Sequence, residues 1–370
     1  MGPAPLLPSY AGANVRGIVP ALLAPAGTDD LPSWFPAGVT GAAQVVLLVV
    51  DGLGWEQLQE HRELAPTLAG LDGGPITSVV PSTTSTALAS IATGLTPAEH
   101  GIIGYRIDMG GGDVMNILRW STVGGDARRR YVPREVQPFP AFLGQAVPVV
   151  SKIELETSGF SGAHLAGAPM SGWRVMSNLP VEVAAQLARG HRMVYAYYDG
   201  VDKVAHEKGF GAYYDAEIRA VDRLVGDILD VLPPGATLLI TADHGQVQVG
   251  DNTRPPAPDV LGLTKHQSGE GRFRWLHALP GAAAELLDAA RAAHDAVAWV
   301  VSKEQVIEEG WFGPTMPGPI AKRLGDVALV AHAPISFEDP ADSGPFQLVC
   351  RHGSLTSAEM LVPLLAGHSR

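Results

Sequence analysis

One stretch constrains this chain more than any other: an apolar run that ends on a carboxylate. Val46, Leu47, Leu48, Val49 and Val50 stop at Asp51, and Gly52 and Gly54 follow. A continuous apolar run of that length reads as a strand covered on both faces, the kind found inside a parallel sheet. A carboxylate at its carboxyl end sits where open α/β sheets place their ligand chemistry. A second apolar run, Ile76 to Val80, then meets Pro81 and the hydroxyl cluster Ser82, Thr83, Thr84, Ser85 and Thr86. The Ala/Leu/Ile pattern from Ala87 to Ala92 closes at Gly94, so the cluster reads as a helix N-terminus. There a hydroxyl faces unpaired N–H groups and a dipole that favours anions.

The rest of the chain alternates strand-like and helix-like segments, which predicts a mostly parallel central sheet flanked by helices. Further strands are expected near 114–120, 147–153, 193–198, 237–242, 327–333 and 346–350. Helices are expected over 181–189 and 213–232, the latter closed by Pro233, Pro234 and Gly235. Residues 1–41, rich in Pro, Gly and Ala, read as a segment wrapping the surface, and 42–370 as the main domain. Between about 250 and 334 the texture changes to a loop, an Ala-rich helix (282–293) and short strands. That stretch is expected to be a small inserted α+β cap.

Composition narrows the function. The 370 residues carry a net charge of −12 and no Lys/Arg run, which argues against extended nucleic-acid binding. Positive charge for an anionic substrate would then come from bound metal ions. A single cysteine, Cys350, excludes a disulfide framework and a Cys-rich zinc site. The first residues lack the basic start and apolar core of a signal peptide, and no apolar run approaches the ~20 residues of a membrane span. A cytoplasmic chain acting on a small molecule, with no membrane partner, is the expectation; its oligomeric state is not legible.

Three more clusters carry chemistry. Asp202 and His206 are four apart, so one helical turn puts them on one face. Asp243 and His244 follow the apolar strand LLITA, and Arg351-His352-Gly353 follow another strand-like run. Taken singly, each has a plainer reading: a turn aspartate, a solvated helix face, an N-cap hydroxyl or a structural histidine. Together, three Asp, three His and a hydroxyl suffice for two divalent sites, and that donor mixture suits zinc, with manganese or iron also compatible.

In order and spacing these residues resemble the alkaline phosphatase superfamily, and most closely its type I phosphodiesterase/nucleotide pyrophosphatase branch. The resemblance runs from Val46 to Pro363 and implies an alkaline-phosphatase-like fold. It also implies hydrolysis of phosphate esters, diester or pyrophosphate bonds first, through a phospho-threonine. Counting back from the run Thr93-Gly94-Leu95-Thr96-Pro97-Ala98-Glu99-His100-Gly101-Ile102 makes Thr84 the nucleophile, with Thr83 and Ser82 close enough to compete. By the same resemblance Asp51, Thr84, Asp243 and His244 hold one metal and Asp202, His206 and His352 the other. Two departures stand out. Tyr105 occupies the place of an Asn that helps hold a phosphoryl oxygen. Ser85 and Thr86 replace a Phe-Pro pair, which predicts a more polar pocket wall.

A dianionic monoester would want a cationic clamp; Arg106, Arg119 and Lys203 are candidates, though exposed surface charge is the simpler reading of each. Phosphomonoesterase and metal-dependent phosphomutase remain the enzymatic alternatives, and a catalytically silent metal- or partner-binding member the non-enzymatic one. A sulfatase is disfavoured because Cys350 is far from the hydroxyl cluster. A dinucleotide fold fails because Gln57 stands where the third glycine of the motif belongs.

Overall fold

The computed structural model describes residues 3–342 and 347–369. Among them, eleven strands build the two larger sheets. In chain order they are β1 (Gln44–Val50), β2 (Asp72–Thr77), β3 (Val149–Lys152), β4 (Met170–Trp173), β5 (Met193–Tyr198) and β6 (Ala236–Thr241). There follow β7 (Thr264–Glu270), β8 (Phe273–Ala278), β9 (Ala298–Ser302), β10 (Val327–Ala331) and β11 (Leu361–His368). The central sheet has the order β2-β11-β6-β1-β5-β3-β4. Only β11 runs against its neighbours; β1 pairs in parallel with β6 on one side and β5 on the other.

The middle position of β1 explains its composition. Val45 to Val50 are all buried, and β-branched valines suit a pleated surface packed on both faces. Four helices are α1 (Thr84–Thr93) and α2 (Gly200–Lys208), which carry site residues, α3 (Ala212–Val231) and, over the smaller sheet, α4 (Ala283–His294). On α3, Ile218, Val221, Leu224, Val225, Ile228 and Leu229 are buried at helical spacing. Helix α1 ends at Gly94 in the left-handed region (φ +74°), where a Cβ would come within 2.4 Å of Pro20 Cγ. The contact comes from the first 41 residues, in which Val15, Ile18, Val19 and Val39 are fully buried.

Several expected elements shift. The apolar run from Ile76 to Val80 only overlaps a strand: β2 covers Asp72–Thr77, because its edge pairing with β11 and not its own apolar pattern fixes it. The strand expected at 114–120 is Val114–Asn116, in a small antiparallel sheet that starts at Arg106–Asp108. Part of the strand expected at 346–350 lies outside the described residues. The described part is a two-residue strand, Cys350–Arg351, paired with Val247–Gln248.

Strands β7, β8, β10 and β9 form, in that order, an antiparallel sheet beneath α4. Leu276, Leu286, Ala290, Val300 and Leu329 give it a core of its own. The tip of its β7–β8 hairpin is tied to the central sheet by Arg272. The guanidinium donates to both carboxylate oxygens of Glu359 at 2.7 and 2.8 Å, and to the carbonyls of Ala331, Ala333 and Ile335. Both side chains are fully buried. Arg272→Met is expected to strand an uncompensated carboxylate and to cost about 3–5 kcal/mol in urea denaturation. The double change Arg272→Met/Glu359→Gln is expected to recover part of that loss.

Candidate active site

Three adjacent parallel strands deliver their carboxyl ends to one point. Asp51 follows β1, Asp243 and His244 follow β6, and Asp202 lies in the first turn of α2, just after β5. Gly52 lets them converge. Its φ is +74°, and a Cβ there would stand 2.5 Å from Gln246 Nε2 and 2.9 Å from Asp202 Cβ. Asp243 Oδ1 accepts from the backbone N–H groups of Gly52 and His244, each at 3.0 Å, while Asp51 Oδ2 accepts from the Tyr197 hydroxyl. The other oxygen of each, Asp51 Oδ1 and Asp243 Oδ2, is buried with no hydrogen-bond partner. A buried carboxylate oxygen left unpaired is costly, and a cation is the natural complement.

The imidazoles are oriented to match. His206 Nδ1 donates to the Cys350 carbonyl (2.6 Å), His244 Nδ1 to Gly245 (3.0 Å) and His352 Nδ1 to Ser82 (3.1 Å). Each backbone acceptor sets the same tautomer, with the Nε2 lone pair left for a ligand. These Nε2 atoms converge on the carboxylates. His206 lies 3.2 Å and His352 3.9 Å from Asp202 Oδ1, and His244 lies 3.3 Å from Asp243 Oδ2 and 3.5 Å from Asp51 Oδ1.

Donor atoms of Asp51, Asp243 and His244 fall within 4.8 Å of one another, as do those of Asp202, His244 and His352. The expected partition put His244 only with Asp51 and Asp243. In the structure it stands between both groups, its ring stacked on His352 at 3.6 Å, and His206 reaches Asp202. Orphaned carboxylate oxygens and three aligned imidazoles fit divalent metal binding. Electrostatics agree: Asp51 is pushed well above the usual carboxylate range, first by burial and then by Asp243 and Asp202. His352 is pushed well below the usual imidazole range, by burial and then by His244 and His206.

Within the hydroxyl cluster the structure separates the candidates. Thr83 is the N-cap residue of α1, and Ser82 Oγ donates to the Ser354 carbonyl. Thr84, the first residue of α1, points at the site, its Oγ1 3.1 Å from His244 Nε2. Ser85 and Thr86 do not form the polar wall expected of them. Both are fully buried, and Ser85 Oγ donates to the Gly104 carbonyl. Tyr105 does line the cavity, and its hydroxyl accepts from Asn116 Nδ2 at 2.6 Å.

Two cavities, of about 300 and 240 Å3, meet at Thr84, Leu118 and Asp202. The first has the charged side chains of Arg119, Arg351, Glu270 and Asp342 in its wall. The second carries Leu88, Leu155, Phe160 and Leu165, with Lys203 at its side. Arg106, expected as surface charge, is instead buried and paired with Asp339. Lys203 is shared with Lys152 on Asp199, and Arg119 is exposed within the first cavity. Arg351, to which sequence reasoning gave no role, keeps a buried Nε without a partner. Glu270 and Tyr197 were also missed. Strand alternation from Tyr195 was the available signal for Tyr197; Glu270 had none, since a hairpin tip brings it in. Burial pushes the Glu270 carboxyl up to about 8.

The family model described as type I phosphodiesterase / nucleotide pyrophosphatase matches residues 45–174 and 169–355. A curated 2,3-bisphosphoglycerate-independent phosphoglycerate mutase from Cyanothece sp. is 45% identical over 69 residues, 18% of this chain and only 13% of the mutase. Among solved structures, murine ectonucleotide pyrophosphatase/phosphodiesterase 5 superposes with a TM-score of 0.64 at 17% identity, covering 88% of each chain. The same murine protein as an inactive variant in complex with AMP superposes equally well, at 16% identity and the same coverage. Phosphonoacetate hydrolase from Sinorhizobium meliloti 1021, in complex with phosphonoformate, gives 0.60 at 17% identity, covering 89% of this chain and 91% of that one. At such identities these structures speak for the fold alone. Among the described residues no helix is long and apolar enough to cross a membrane.

Proposed function

The chain belongs to the type I phosphodiesterase/nucleotide pyrophosphatase family, and on that premise we propose that it hydrolyses a small phosphodiester or pyrophosphate through a phospho-threonine at Thr84. One observation carries the reading: Thr84 Oγ1 lies 3.1 Å from His244 Nε2 where the two cavities meet. Phosphorus placed there would send one substituent into each lobe, as a diester requires. Arg119 and Arg351 in the first wall suit a charged or hydrogen-bonding substituent, and Leu88, Leu155 and Phe160 in the second offer contact to a carbon-rich one.

The residues divide the work. Thr84 supplies the attacking oxygen and stands at the N-terminus of a ten-residue helix, whose dipole favours the transferred anion. With Nδ1 donating to Gly245, His244 Nε2 is left to hold a divalent ion beside Thr84 Oγ1, which would lower the hydroxyl's pKa so that its proton leaves to solvent. Asp51, Asp243 and His244 would hold one divalent ion and Asp202, His206 and His352 the second. When bound, such a pair neutralises charge on the attacking and leaving oxygens and makes water a nucleophile near neutral pH. The Tyr105 hydroxyl, held by Asn116, and the Arg351 guanidinium face the transferring group from the first lobe. We read the 250–334 region as a cap that closes this lobe with Glu270 and Gly271.

A monoesterase reading gains from the same wall, since Arg119 and Arg351 could clamp a dianion. The two separate in a paired assay on zinc- or manganese-reconstituted protein. The diester reading expects kcat/KM for a bis-aryl phosphodiester to exceed that for the aryl monoester by at least about 10-fold. The reverse order would install the monoesterase reading. Arg351→Gln is expected to raise KM about 10-fold for a diester with an anionic second substituent and to leave the bis-aryl KM within about 2-fold.

A further inference from the structure

A second set of metal-type donors lies outside the seven residues above. His266 on β7 and His277 on β8 are cross-strand partners, so their rings project side by side and stack at 4.0 Å. Asp108, at the end of the Arg106–Asp108 strand, meets them from the neighbouring small sheet. Its Oδ1 is already taken by the backbone N–H groups of Gly110 (2.7 Å) and Gly112 (3.3 Å). Its Oδ2 faces His266 Nε2 at 2.9 Å and His277 Nδ1 at 3.6 Å. The three donor atoms lie within 4.8 Å of one another.

We propose that Asp108, His266 and His277 form a third divalent-metal site, of the zinc type, that pins the 106–116 strand pair to the four-stranded cap sheet. Hydrogen bonding to Asp108 accounts for the approach of only one of the two imidazoles, because 3.6 Å is too long for the second. A cation accounts for both. Metal–ligand bonds of about 2.0–2.1 Å at tetrahedral angles separate donor atoms by about 3.3 Å, and the two measured separations bracket that value. Supporting groups are also in place: His277 Nε2 lies 2.8 Å from Ser268 Oγ, which turns the Nδ1 lone pair toward Asp108. A mixed N/O donor set selects a transition metal over calcium or magnesium. His266 remains 21% exposed, so the fourth position can be completed by water from solvent.

The test runs in an Asp243→Asn background, so that it does not depend on the proposed catalytic metals. The full-length protein is stripped with chelator, equilibrated with buffered zinc and assayed for bound metal by mass spectrometry. The expected result is that His277→Gln and His266→Gln each lose one zinc equivalent per chain relative to that background. Unchanged zinc content would overturn the proposal. A second measurement needs no further variant: carbethoxylation of His266 and His277, followed by peptide mass, with and without zinc. Protection by zinc is expected at both residues. Equal modification in the two conditions would overturn the site even if the glutamine variants fail to fold.

Discussion

Thr84→Ala is expected to lower turnover of a phosphodiester by at least about 10^3-fold while leaving metal content and thermal midpoint close to wild type. The neighbouring hydroxyls cannot take over. Ser82 Oγ is committed to the Ser354 carbonyl and Ser85 Oγ to Gly104, and of the cluster it is Thr84, not the N-cap Thr83, that reaches His244. Thr84→Ser, which keeps the oxygen and loses only a methyl, is expected to retain activity within about 10-fold of wild type. Steady-state kinetics with metal analysis on the same preparations check both. A Thr84→Ala enzyme within about 10-fold of wild type would mean that water attacks phosphorus directly.

The second large effect concerns charge. Asp51, Asp202 and Asp243 crowd one buried point, and the nearby lysines, Lys152 and Lys203, are engaged with Asp199. Metal-free protein therefore holds more negative charge there than its surroundings compensate. Asp51→Asn keeps the shape and removes one charge. It is expected to raise the midpoint of metal-free protein by about 2 °C or more. Zinc at about 1,000 times its Kd is expected to stabilise wild type by about 4 kcal/mol, and Asp51→Asn by much less. Turnover by the variant should fall at least about 10^2-fold. The pH dependence has a definite sign. A carboxyl whose folded-state pKa is raised binds more protons in the native state, so metal-free wild type loses stability as pH rises above the ordinary carboxylate range. In Asp51→Asn that decline should be shallower. Thermal melts with and without chelator across pH 4–8 measure all of these.

The second prediction rests on residues that the chain's own pattern picks out, whereas Thr84 was chosen from the hydroxyl cluster by the family resemblance. Asp51 and Asp243 announce themselves because an apolar strand stops at a carboxylate, and Asp202 and His206 because one helical turn separates them. The parallel sheet is legible for the same reason: strands such as β1, covered on both faces, leave long apolar runs. What local pattern could not supply was tertiary. Strand β2 starts at Asp72 because β11 pairs with it, not because Asp-Gly-Gly-Pro favours a strand. His352 was expected after a regular strand; a two-residue pairing precedes it, and a bridge between Ser82 and Gly353 holds it beside the hydroxyl cluster. Glu270, Arg351 and the Asp108–His266–His277 group come together only when the β7–β8 hairpin folds against its neighbours. Ser85 and Thr86 show the converse limit, since their residue types were legible but the direction of their side chains, set by the phase of α1, was not.

The most direct test of the central claim is the stereochemical course at phosphorus, measured with a phosphodiester made chiral by sulfur and oxygen isotopes. Attack by Thr84 followed by attack of water inverts phosphorus twice. Net retention of configuration is therefore the expected result. Net inversion would require a single displacement by water and would contradict a phospho-threonine at Thr84.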